Sequence, residues 1–100
     1  MQDIEQLSRA FKALSSPNRL RLFSEILRRQ TEAGGAEVSA PGCLLTDYIQ
    51  RLGIGAPTVS HHLRELSDSG LIRLERQGRN LFCAVRDDVP QGLLNMIHDH

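Results

Sequence analysis

One hundred residues, 40% of them apolar and without an internal repeat, suffice for one compact domain with a modest core, which leaves room for a dimer interface. No apolar run approaches the roughly 18 residues of a membrane helix, and the opening MQDIEQLSRAF lacks the basic start and apolar stretch of a signal peptide, so a cytoplasmic protein without a membrane partner is expected. The net charge of zero excludes a uniformly basic nucleic-acid binder, yet between residues 51 and 79 Arg51, Arg64, Arg73, Arg76 and Arg79 outnumber Glu65, Asp68 and Glu75.

Ile4, Leu7, Phe11 and Leu14 recur at spacings of three and four, which predicts a first helix over about 3–14 with one apolar stripe. SSPNRLRLFSEILRR opens a second helix, with Ser16 as N-cap, Pro17 in the first helical position and Leu20, Phe23, Ile26 and Leu27 facing inward. QTEAGGAEVSAPG has no periodicity and reads as an exposed loop. Leu44 and Leu45 offer one edge of a small sheet. Thr46 then caps a third helix, TDYIQRLG, with Ile49 and Leu52 inward and Gly53 as its end.

Gly55 and Ala56 turn the chain into a fourth helix, PTVSHHLRELSDSG, whose apolar positions Val59, Leu63 and Leu66 repeat at four and three, and Gly70 closes it. LIRLERQGRNLFCAV alternates on both sides of Gln77-Gly78 and reads as a β-hairpin, with Gly78 free to take the positive φ of a tight turn. VPQGLLNMIHDH supplies a short last helix carrying Leu93, Leu94 and Ile97. The expected fold is therefore mainly α with a small β-hairpin wing: one winged helix-turn-helix domain over 1–100, flanked by N- and C-terminal dimerisation helices.

In that order of elements the fourth helix is the one that enters the major groove of duplex DNA with its leading turns. Thr58, Ser60 and His61 lie off the apolar stripe and can meet base edges, and Arg64, one turn beyond Ser60, suits a phosphate. Solvated polar positions are the competing reading. His62, beside Leu63 and one turn before Leu66, is expected to be packed or hydrogen-bonded. Arg76 and Arg79 flank Gly78 at the wing tip, where they suit the DNA backbone or minor groove, or else simply solvate a hairpin.

KALSSPNRLRLF, PTVSHHLRELSDSGLIRLERQGRNLFCAV and the Gly-containing wing together resemble the ArsR/SmtB family of bacterial repressors, over about Phe11 to Val85. The resemblance implies DNA contact by Thr58, Ser60, His61, Arg64, Arg76 and Arg79. Ala56 and Gly55 stand where relatives often carry Gln and a capping Ser, which implies a different site preference. Leu44 and Thr46 occupy the family's Cys-x-Cys metal positions. At its second site Asp87 and His100 match, but Val89 replaces a His, so no metal and no cofactor is expected.

Two cysteines are too few for a disulfide scaffold. In winged folds the short strand before the third helix pairs with the second wing strand, which would bring Cys43 near Cys83 for an oxidative link, with two small buried hydrophobes as the alternative. The apolar stripe of the first helix, with Leu7 and Phe11, and the Leu93, Leu94 and Ile97 face of the last are the expected two-fold interface. A homodimer spaces two recognition helices one helical turn apart on a near-palindromic operator, which points to a transcriptional repressor acting by occupancy. A winged helix that binds protein instead of DNA is the alternative. No nucleophile motif, phosphate loop or carboxylate pair supports an enzyme.

Overall fold

Asp3 starts the first helix, α1 (Ile4–Leu14), by accepting the Gln6 backbone N–H at 2.8 Å. The computed structural model describes residues 3–32, 38–39, 53, 56–77 and 80–98. α1 meets the core through Ala10, Ala13 and Leu14, since two alanines let the helix backbone approach closely. Of the stripe expected from periodicity only Leu14 is buried. Leu7 is half-buried, while Ile4 and Phe11 are 81% and 54% exposed.

Ser15 ends α1, its hydroxyl donating to the Lys12 carbonyl at 2.7 Å, and Ser16 begins the next helix. The Arg19 N–H reaches Ser16 Oγ at 3.4 Å and the Leu20 N–H reaches its carbonyl at 2.9 Å, with Pro17 in the first turn, where a missing N–H is harmless. This helix, α2 (Pro17–Glu32), is central and touches each of the other described helices and the sheet. Its buried arc is correspondingly wide: Leu22, Phe23, Glu25, Ile26 and Leu27. Leu20, expected inward, is instead exposed at the arc's edge, and Leu22 takes its place.

α2 also runs three residues past Arg29 into the expected loop. Local and tertiary bonds hold that extension. Arg28 bridges Glu25 and Glu32, Arg29 Nε donates to Glu25 at 2.8 Å, and Gln30 Oε1 accepts the Val85 N–H at 2.8 Å from the sheet. Burial would push the Glu25 carboxyl up, but hydrogen bonds from Arg28 and Arg29, with their charges, prevail and hold it below its ordinary value.

The rest of the expected loop contains a two-residue strand, β1 (Val38–Ser39), too short to leave a periodic signal. It pairs antiparallel with β3, Val38 opposite Cys83. Leu44, Leu45 and the predicted third helix up to Leu52 lie outside the described residues. Gly53, with φ +67, has the left-handed backbone expected of a helix end.

α3 (Ala56–Asp68) takes in Ala56, one residue earlier than the expected start at Pro57, and buries Val59, Leu63 and Leu66 almost completely. Its C-terminus closes by two bonds around Gly70: Leu71 N–H to the Leu66 carbonyl and Gly70 N–H to that of Ser67, both 3.1 Å. The hairpin β2 (Ile72–Gln77) and β3 (Asn80–Val85) follows, paired from Ile72↔Val85 to Gln77↔Asn80, and the sheet order is β1-β3-β2. α4 (Gln91–His98) lays Ile97 on α2 and half-buries Leu93 and Leu94. Phe23, Leu22 and Ile26 centre one core that also takes in Leu71, Ile72 and Cys83.

Gly70 has φ +83 with open space where a Cβ would stand, so Gly70→Ala meets backbone strain alone and is expected to lower stability by about 1–2 kcal/mol. Gly92 lies in α4 without positive φ and with equally open space, and Gly92→Ala should raise stability by a few tenths of a kcal/mol, roughly. Urea denaturation of the two variants should give shifts of opposite sign.

Candidate nucleic-acid interface

The α3 stripe Val59–Leu63–Leu66 is clamped against α2 and β2, and this fixes the direction of everything else on the helix. Thr58, Ser60, His61 and Arg64, the four residues assigned to DNA from the sequence, are all exposed on α3. They share its solvent side over the first two and a half turns. No acidic residue occupies the first turn of α3, so the positive end of the helix dipole has no compensating carboxylate in that turn.

Behind this face lies a polar contact between helices. Arg19 Nη1 of α2 lies 3.5 Å from Glu65 Oε2, and the other oxygen of the same carboxylate lies 3.9 Å from His61 Nε2. Sequence reasoning missed Arg19 and Glu65. Glu65 stands four residues after His61 and was legible as a helical neighbour, whereas Arg19 is 46 positions away and only the fold brings it near. His62 is half-buried, as its place beside Leu63 implied, but its Nδ1 and the Arg19 Nε are enclosed without a hydrogen-bond partner among the described residues. Desolvation, then the charges of Arg19 and His61, lower the His62 pKa against a smaller opposing pull from Glu65.

On the wing, Arg73 is exposed on β2 and Arg76 pairs through its backbone with Leu81. The Arg76 side chain and residues 78–79, with Arg79, lie outside the described residues. Cys83 is 1% exposed in the core, opposite Val38 and Leu74, while Cys43 lies outside. Asp87 is exposed, Val89 belongs to the core, and His100 lies outside the described residues.

The helices expected to dimerise form a second surface. Phe11, Leu14, Leu20, Leu93, Met96 and Ile97 line a groove of ≈ 730 Å³ between α1, α2 and α4. Leu93 keeps part of its surface open, Ile97 forms the groove's buried floor, and Met96, 67% exposed, stands at its rim, whereas half-buried Leu7 does not line the groove and Leu94 lines a separate hollow with Leu27, Gln30 and Val85. The sequence reading omitted Met96 and Leu20 from this surface, although Met96 follows Leu93 at helical spacing.

Comparison with known proteins places these features in a wider set. A helix-turn-helix domain family matches residues 14–75. The chain is 27% identical to the transcriptional repressor SmtB homolog of Synechocystis sp., over 100% of this chain and 67% of that protein. It is 36% identical over 80 residues to the probable mercury resistance operon repressor of Streptomyces lividans, covering 80% of this chain and 54% of that one, so it spans about half that relative's length. Among solved structures, a homodimeric winged helix-turn-helix DNA-binding domain of Mycobacterium bovis superposes with a TM-score of 0.66 at 21% identity, over 96% of this chain and 81% of the other.

The enclosed His62 generates a stability test. Its folded value lies below the ordinary histidine value of about 6.5, so its contribution is fully present above that range and is lost as pH falls through the folded value. Urea midpoints at about pH 7.5 and pH 5.5 should show the wild type losing stability on acidification and His62→Gln losing less. Equal losses in both proteins would contradict this role for His62.

Proposed function

Because this chain belongs to the ArsR/SmtB family of winged helix-turn-helix transcriptional regulators, we propose that it is a sequence-specific repressor that occupies promoter DNA as a homodimer in the cytoplasm. The observation that carries this reading is the α3 face: with Val59, Leu63 and Leu66 held in the core, Thr58, Ser60, His61 and Arg64 turn outward together on a helix whose first turn carries no acidic residue. Thr58, Ser60 and His61 take base edges, Arg64 a phosphate, and Arg76 and Arg79 the backbone beside the wing.

A single reading helix contacts too few bases for a tight site, and the exposed apolar groove supports pairing of two copies. Phe11 and Leu93, with Met96 beside them, offer apolar area that the monomer leaves in water, and Leu7 and Leu94, each half-buried outside the groove, add to it. Two-fold pairing there presents two α3 helices to a near-palindromic operator. The protein acts by binding and not by catalysis. Overall neutrality favours the alternative, a winged helix that binds protein, and salt dependence separates the two.

In gel-shift titrations the affinity of a DNA reader falls steeply with salt, by a log–log slope near −0.9 per phosphate contacted. Arg64→Ala should weaken binding evenly across sequences and make that slope shallower by about 1, whereas His61→Ala should change the preference among sites. Phe11→Glu should convert dimer to monomer in sedimentation and weaken operator binding at least about tenfold, since one half-site contact is lost. A salt-independent association with DNA, unchanged by any of the three, would overturn the reading.

A further inference from the structure

We infer that Glu65, held across the helix interface by Arg19, orients the His61 imidazole so that Nε2–H faces the carboxylate and Nδ1 faces the duplex, making Arg19 and Glu65 positioning residues for base preference. The inference rests on the DNA-reading role proposed for α3. Its grounds are geometric. One carboxylate has its two oxygens directed to two partners on different elements: Oε2 to Arg19 Nη1 of α2 at 3.5 Å, and Oε1 to His61 Nε2 at 3.9 Å.

Glu65 and His61 stand four residues apart on α3, a spacing at which side chains on a helix meet. The 3.9 Å separation exceeds a hydrogen bond, and a small rotation of the exposed ring, moving Nε2 by about 1 Å, closes it. Arg19 has little freedom by comparison: it sits near the capped start of α2, largely enclosed, with Nε sealed from solvent. It therefore fixes the carboxylate, and the carboxylate selects the ring face of His61. The neighbouring His62 cannot substitute, because its Nδ1 is enclosed.

The chemistry of the contact follows. In a neutral imidazole one nitrogen donates and the other accepts, and the partner of one sets the identity of the other. With Nε2–H directed to Glu65, Nδ1 is an acceptor. In the major groove an acceptor pairs with the amino groups of adenine N6 or cytosine N4, and not with guanine O6 or N7. His61 so oriented favours adenine or cytosine at the position it meets.

The experiment is selection of bound duplexes from a random library at pH 7.5 with the full chain, comparing wild type, His61→Ala, Glu65→Gln, Arg19→Gln, Arg19→Lys and the double variant Glu65→Gln/His61→Ala, with thermal melts to confirm folding. Wild type should enrich adenine or cytosine at one position of each half-site. Glu65→Gln and Arg19→Gln should reduce that preference about fivefold, leaving other positions within about twofold, as loss of one directed hydrogen bond implies. Arg19→Lys should keep the preference, and the double variant should match His61→Ala.

Unchanged preference in Glu65→Gln where His61→Ala changes it would overturn the inference while leaving the DNA-reading role intact. So would a uniform fall in affinity at every position, the signature of a merely structural pair. No enrichment by the wild type in any arm would remove the functional reading and this inference together.

Discussion

The packing of Val59, Leu63 and Leu66 against α2 is the contact from which the interface follows. Those side chains are almost wholly removed from water, each contributing about 1.5–3 kcal/mol of burial. Rotating α3 to present another face would expose the stripe and bury Arg64 or His61 without partners, and both changes are unfavourable. A hydrophobic preference thus sets the bearing of four polar residues. Their chemistry can be read because their direction is not free.

The remainder of the structure serves that packing. Phe23, Leu22 and Ile26 give α2 the surface on which α3 rests, and the Ser16 cap and Pro17 begin α2 where Arg19 can reach Glu65. Gly70 ends α3 with a left-handed residue, so the chain passes directly into β2, which packs against α3. Gln30 then ties the end of α2 to the base of β3. Neutral overall charge is compatible with this arrangement, since exposed Arg64 and a first turn of α3 without an acidic residue are local features that net charge does not report.

Where side-chain period and local chemistry decide the outcome, the sequence was readable. Val59, Leu63 and Leu66, the Ser16–Pro17 start and the Gly70 stop are local signals, and the fold follows them. The misreadings share a cause. Leu20 fits the inward spacing, but α2 is surrounded on most sides and its buried arc is set by α1, α3, α4 and the sheet, which draw in Leu22 and even Glu25. Val38–Ser39 is visible as a strand only once β3 is beside it.

The candidate site divides in the same way. Thr58, Ser60, His61 and Arg64 could be placed on the exposed side of the helix from its period alone, their DNA role being implied by the family resemblance, while Arg19 could not be found, because its relation to Glu65 exists only across the α2–α3 contact. In α1 the alanines Ala10 and Ala13 carry little weight in an apolar pattern, yet their small size decides which side of the helix approaches the core. Phe11 is left outside as a result, available to a second copy.

The central claim is that the leading turns of α3 meet the double helix. Backbone amide shifts recorded by NMR during titration with a selected duplex test it residue by residue. Changes concentrated on Thr58 through Arg64, with the α1–α4 groove little affected, are the predicted result. Changes confined to Phe11, Leu93 and Met96, with α3 silent, would contradict the account.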